Sequence, residues 1–167
     1  MAVADPELDV AVAAMVAENA RFVVVGGFSV IANRFVRATE DIDFLVPDDP
    51  KNDRRVLAAL RRLDGARLRD DQPVAEEHLL DQTHLRVKSS AGIIDVLRGG
   101  LPPLDFKTVE ERAMPADYGG VEFLVAGLSS IVGFKRLADR PRDRNDLIGL
   151  AEIHGELPVD RIPGLDD

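Results

Sequence analysis

The stretch Phe22–Val46, FVVVGGFSVIANRFVRATEDIDFLV, constrains the fold more than any other part of the chain. Its apolar run Phe22–Val25 is long enough for one buried strand. Gly26-Gly27 breaks that run, and Phe28, Val30, Ile31 and Phe35 then recur at roughly helical spacing, which predicts a short helix over Gly27–Phe35. In Asp41-Ile42-Asp43-Phe44-Leu45-Val46 two carboxylates alternate with Ile42 and Phe44. A strand there puts both acids on one face, about 7 Å apart, and the apolar pair on the other. A glycine turn between strand and helix, followed by paired acids, points to phosphate and a divalent cation.

Spacing alone does not single out the acid pair. With 30 acids in 167 residues, about five acid-x-acid pairs arise by chance. Glu7-x-Asp9 is one of them, in a predicted helix, and carries no assigned function. Context distinguishes Asp41 and Asp43. Two acids on one strand face can share or bridge Mg²⁺ (or Mn²⁺) ions and leave positions for water and substrate phosphates. With two metals, one activates the attacking oxygen and the other stabilises a pyrophosphate leaving group.

A third acid fits: Asp95 is either a strand-edge residue facing solvent or a further ligand. It is a lone carboxylate in the apolar run Ile93-Ile94-Asp95-Val96-Leu97, on the face opposite Ile94 and Val96. An unpaired buried carboxylate costs several kcal/mol, so a metal or cation partner is expected if that face is covered. Gly26-Gly27 would let backbone N–H groups approach a phosphate, with Ser29 as an added hydroxyl donor. Neither a P-loop nor a G-x-G-x-x-G fingerprint occurs. Gly119-Gly120 reads as a plain turn.

The flanking elements follow from periodicity and caps. Asp5-Pro6 predicts a helix start, running to about Ala20 with Leu8, Val12, Met15 and Val16 on one side. Asp49-Pro50 repeats the signal ahead of a helix striped by Val56, Leu57, Leu60 and Leu63. Ala66–Arg69 is a candidate strand and Asp70–Gln82 an irregular stretch. Leu85 and Val87 alternate with charges, Lys88–Gly92 turns, and Ile93–Leu97 resumes as a strand. Phe106–Met114 is ambiguous between strand and helix; Val121–Val125 is a strand. Leu128–Asp139 predicts a helix with Ile131, Phe134 and Leu137–Ala138 inward, stopped at Arg140-Pro141. Arg142–His154 predicts another, with Leu147, Leu150 and Ala151 inward, and 155–167 an exposed strap. The expected architecture is one α/β (α+β) domain over 1–167, a mixed β-sheet flanked by helices. Its core covers about 21–126, with a short C-terminal helical pair at about 128–154.

The net charge of −9 is the wrong sign for a general nucleic-acid binder, although basic residues cluster at Lys135–Arg144. Absence of cysteine excludes disulfides and thiolate metal sites. No run approaches the ~20 apolar residues of a membrane helix, and Met1–Ala20 lacks a signal peptide's basic start. A cytoplasmic protein is expected. His78, His84 and His154 lack ligand spacing and read as solvated or structural.

The run Gly26-Gly27-Phe28-Ser29 followed by Arg37-Ala38-Thr39-Glu40-Asp41-Ile42-Asp43 resembles the signature of the DNA polymerase β-like nucleotidyltransferase superfamily. Its form G-G-x-[SA] … R-x-T-x-D-I-D is similar to minimal AbiEii-like enzymes, several of them toxins of toxin–antitoxin systems. Their late K-x-x-x-x-R-x-K-D-x-x-D helix is matched by Lys135, Arg140, Asp143 and Asp146, with Arg142 for the second lysine. Where many relatives have His-Gly, this chain reads Asn33-Arg34.

The resemblance implies transfer of NMP from NTP to an acceptor: a tRNA end, a protein or a small molecule such as an aminoglycoside. It makes Asp41, Asp43 and Asp95 metal ligands, with Asp95 also placed to activate the acceptor. Gly26, Gly27 and Ser29 would hold nucleotide phosphates, and Lys135 would reach the triphosphate with Arg140 as a further nucleotide-binding cation. Arg37 and Thr39 would brace the turn or contact substrate. Asp143 and Asp146 would position Lys135 or Arg140, or form surface ion pairs. A cognate antitoxin is an implied partner. The competing reading is a non-catalytic module that senses nucleotide or binds a partner on the same fold. A metal phosphohydrolase is disfavoured because histidines with ligand spacing are absent.

Overall fold

The computed structural model describes residues 5–80 and 83–167. Its element order is α1 (Leu8–Ala17), β1 (Val23–Val25), α2 (Gly26–Ala32), β2 (Asp41–Val46), α3 (Pro50–Arg62), β3 (Ala66–Arg67), α4 (Glu76–Leu80), β4 (His84–Ser89), β5 (Gly92–Arg98), α5 (Phe106–Glu111), β6 (Met114–Tyr118), β7 (Val121–Val125), α6 (Leu128–Ala138) and α7 (Pro141–His154). The strands form one mixed sheet in the order β3-β4-β5-β2-β1-β7-β6. β1 and β2 are antiparallel, whereas β2 lies parallel to β5 and β1 parallel to β7. This is the mixed α/β architecture expected from the sequence.

Period-two alternation divides the central strands between two layers. Val24, Ile42, Phe44, Ile94 and Val96 pack with α1 and α3 on one side. Val23, Val25 and Leu45 meet Ile131 and Leu150 of the C-terminal helices on the other. Phe44 is fully buried and meets Phe22 edge-on, ring centroids 5.1 Å apart; burying one such side chain is worth about 1.5–3 kcal/mol. The alternation that buries Ile42 and Phe44 turns Asp41 and Asp43 to the opposite face, beneath the C-terminal helices.

Several boundaries differ from the expectation. α1 begins at Leu8 with Glu7 as its cap, because Glu7 N–H bonds the Ala91 carbonyl at 2.9 Å and holds the entry segment extended. Val16 is exposed. α3 starts as expected, with Asp49 accepting from Lys51 N–H and Pro50 in the first turn. The irregular stretch contains α4, which buries Leu79; Asp81 and Gln82 lie outside the described residues. Phe106–Met114 resolves into helix α5 and the start of β6, and Gly119-Gly120 is the left-handed turn between β6 and β7, with φ of +65° and +80°. In α6 the inward stripe ends at Lys135: Leu137 and Ala138 are exposed, because Asp139 turns the chain left-handed into α7. The strap is exposed along most of its length, as expected, and is anchored by buried Ile162 and by Arg136, which bonds Asp166 and the Asp160 carbonyl.

Candidate active site

The parallel pairing of β2 with β5 sets Asp43 directly beside Asp95, and the antiparallel β4 sets Arg86 beside Asp95. On the other flank, Val25 pairs with Asp43, so the chain leaves β1 for α2 directly over the acids. Gly26 holds φ at +65°, and any Cβ there would run into the Asp43 carboxylate. A Cβ on Gly27 would strike the Thr39 hydroxyl and crowd Arg37. The two glycines therefore let the turn sit on the acid strand, a demand the sequence expresses only as a Gly-Gly pair. Ser29 is buried, and its hydroxyl donates to the Gly26 carbonyl at 2.5 Å. That bond braces the turn and commits the one hydroxyl proton to it.

Three carboxylates crowd one sheet face. Burial, followed by the charges of Asp95 and Asp41, pushes the Asp43 carboxyl up to about 7, with Lys135 pulling the other way. Asp95 is buried, and its partners are cationic or hydrogen-donating side chains from β4. His84 Nε2 lies 2.7 Å from Asp95 Oδ1, and Arg86 lies 3.8 Å from Asp95 and 3.0 Å from Asp41. The histidine expected to be solvated or structural therefore touches the acid cluster. A signal for this exists in the sequence: His84 and Arg86 alternate with buried Leu85 and Val87, which sends both to the face that carries Asp95. His78 and His154 are structural, bonding Ala75 N–H and the Asn33 carbonyl.

A second charged group approaches from α6 and α7. Lys135 is buried, 3.0 Å from Asp143 and 2.9 Å from Asp146. Arg37 donates to both oxygens of Asp146, at 2.6 and 2.9 Å. Arg140 bonds Asp143 through its backbone N–H and its guanidinium. Burial raises the Asp143 carboxyl, but the bonds from Arg140 and Lys135 outweigh it and hold the acid at about 2. Asp146 is also lowered against its burial, by Arg37 and Lys135. These two acids are buried and hold Lys135, Arg37 and Arg140 in place, so they are not surface ion pairs. Three cations face two carboxylates, which leaves one formal positive charge in surplus beside the acid cluster.

Both groups open on one cavity of about 280 Å³. Gly26, Gly27, Ser29, Arg37, Thr39, Asp41, Asp43, Asp95, Lys135 and Arg140 all line it, together with His84 and Arg86. Asn33, standing in the relatives' His-Gly pair, is buried and donates to the Ser29 and Ala126 carbonyls. Arg34 holds φ at +81° in the glycine position of that pair.

Oxygen-only donors suit Mg²⁺ or Mn²⁺, and the crowding that raises Asp43 is what a cation there would relieve. By that chemistry the residues fit a divalent ion. Among the described residues no three carboxylate or imidazole groups are drawn together as a metal cage; Arg86 bonds Asp41 and His84 lies against Asp95.

A family model described as nucleotidyltransferase of unknown function (DUF6036) matches residues 7–162. No curated protein matches the sequence. Two solved structures share the fold at 13% identity. One is a crystal structure of ANT(2'')-Ia in complex with adenylyl-2''-tobramycin, with a TM-score of 0.60 over 89% of this chain and 87% of that one. The other is a solution structure of the same antibiotic-resistance factor, with a TM-score of 0.61 over 89% and 82%.

Proposed function

Because the chain belongs to the nucleotidyltransferase family DUF6036, we propose that it is a divalent-metal-dependent enzyme moving NMP from NTP to an acceptor hydroxyl, with the 280 Å³ cavity as its active site. One observation carries this reading. Asp41, Asp43 and Asp95 meet on one sheet face beneath the Gly26-Gly27 turn, opposite a buried lysine held by two acids.

Asp41, Asp43 and Asp95 would hold the cation, which supplies charge neutralisation at the transferring phosphoryl group. The chain does the positioning. The Gly26-Gly27 turn admits the triphosphate close to the acids, with Lys135 and Arg140 compensating its negative charge and Arg37 and Thr39 bracing the turn. The acceptor hydroxyl gives its proton to Asp95, its oxygen bonds the α-phosphorus, and the bond to the β-phosphate breaks to release pyrophosphate. Fixed charges aimed at the reacting group need no reorganisation during the step, which is where such sites gain most of their rate.

Calorimetry with a non-hydrolysable ATP analogue and Mn²⁺ tests the site. Binding that needs the metal and disappears in Asp41→Asn and Lys135→Met supports it; metal-independent binding, or none, counts against it. Pyrophosphate release over total RNA and lysate separates catalysis from the nucleotide-sensing alternative. A toxin role with a cognate antitoxin in the cytoplasm belongs to the same proposal. It is supported by the likeness of Arg37–Asp43 and Lys135–Asp146 to minimal AbiEii-like enzymes. Growth arrest on expression, relieved by a neighbouring gene, is its test.

A further inference from the structure

A second cavity of about 320 Å³ opens at the sheet edge, lined by Arg67, Leu68, Arg69, His84, Leu85 and Arg86. β3 is only two residues long, so the outer edge of β4 is covered as far as Arg86, whose carbonyl accepts from Leu68 N–H at 3.1 Å. Beyond that point the 67–69 segment and the start of β4 form the walls of the cleft. Its lining contains three arginines, one histidine and no acid. In a chain of net charge −9 such a wall is a local reversal of sign. Asp70 bonds Arg67 from outside the lining and Arg86 is paired with Asp41 and Asp95, so Arg69 carries most of the cleft's uncompensated positive charge.

The two cavities share His84 and Arg86. These are the side chains that touch Asp95 and Asp41. A ligand in the cleft is therefore separated from Asp95 by His84 and Arg86, whereas Asp95, Lys135 and Arg140 line the main cavity only. Arginine forks recognise planar or tetrahedral oxyanions through paired donors. A polycationic acceptor would meet like charge here, and like-charge contacts are strongly selected against.

We propose that this cleft is the acceptor subsite, and that it takes an acceptor bearing a phosphate close to the hydroxyl that is nucleotidylated. The inference rests on the transfer reading above and names its acceptor class. Arg86 links the two halves: it neutralises Asp41 and Asp95 from the cleft side and presents its remaining donors to the acceptor phosphate.

The test is an NMR titration of the isotope-labelled full chain with ribose 5-phosphate, alone and in the presence of Mg²⁺ and a non-hydrolysable ATP analogue. Tobramycin is the cationic control. Saturable shifts at Arg67, Arg69, Leu85 and Arg86 are expected, retained with the analogue bound and absent with tobramycin. Arg69→Glu, on an exposed side chain, should weaken ribose 5-phosphate by roughly tenfold, the loss of one charge-assisted contact, and leave analogue shifts at Gly27 and Lys135 unchanged. Arg86→Gln should weaken it as well.

Ribose 5-phosphate shifts confined to Gly26, Gly27 and Lys135, no shifts at all, or tobramycin binding the cleft in its place would each overturn the proposal. The analogue reports separately on the transfer reading. Shifts at Gly27 and Lys135 lost while the cleft still titrates would overturn nucleotide transfer and leave an anion site without an acceptor role.

Discussion

Replacing Asp43 with Asn should make the metal-free protein more stable at neutral and alkaline pH while removing its activity. The Asp43 carboxyl rises from 3.8 to about 7, mainly through burial and then through the charges of Asp95 and Asp41. The folded state therefore binds this proton more tightly than the unfolded chain does. Its stabilising effect is fully present below the unfolded value and is lost as pH climbs through the folded one. At ~1.36 kcal/mol for each tenfold change in proton affinity, a rise of this size corresponds to about 4 kcal/mol at most. Asn keeps the volume and lacks the charge, so it recovers part of that amount at about pH 8. For a chain of this size each kcal/mol moves the unfolding midpoint by about 2–4 °C. A gain of at least ~5 °C is expected at about pH 8, falling to roughly a third of its value near pH 5, where Asp43 is mostly protonated. Thermal unfolding in chelator at both pH values measures it. Mn²⁺ should then raise the wild-type midpoint and leave the Asn variant unmoved. An Asn variant no more stable than wild type at the higher pH, or a gain equal at both, would refute the electrostatic reasoning.

Other perturbations have equally definite outcomes. Gly26→Ala forces a Cβ onto the Asp43 carboxylate in a left-handed backbone; a loss of about 1–3 kcal/mol in denaturant unfolding should accompany loss of Mn²⁺ binding. Lys135→Met strips the lysine from buried Asp143 and Asp146 and should cost about 3–5 kcal/mol, read as a lower urea midpoint at unchanged slope. Arg86→Gln removes the cation that holds Asp41 and Asp95; calorimetry should find Mn²⁺ bound more tightly, because the ion no longer competes with a resident guanidinium.

Local alternation made the central part of the fold and site legible. Ile42 and Phe44 alternating with Asp41 and Asp43, and Ile94 and Val96 with Asp95, fix which face each acid takes once the strands exist. What alternation cannot express is register. The pairing of Asp43 with Asp95 joins segments far apart in the chain, and that of Arg86 with Asp95 fixes a third strand beside them; only the folded sheet brings the three together. His84 escapes a reading by ligand spacing for a related reason, since its meaning depends on the strand beside it. The packing of Gly26, Gly27 and Ser29 also needed the structure: the glycines clear Asp43 and Thr39 and the serine bonds its own turn. Leu137 and Ala138 continue an apolar stripe in sequence, and the left-handed Asp139 that ends the helix is invisible to periodicity.

Label position distinguishes transfer of the α-phosphate from hydrolysis of the γ-phosphate. Purified protein is incubated with Mg²⁺, total RNA and lysate, in parallel with α-phosphate-labelled and γ-phosphate-labelled NTPs. α-Label attached to an acceptor and γ-label released as pyrophosphate are expected, both abolished by Asp41→Asn and by Asp95→Asn. Release of γ-label as inorganic phosphate without α-label transfer, or transfer that survives either substitution, would contradict the proposed reaction.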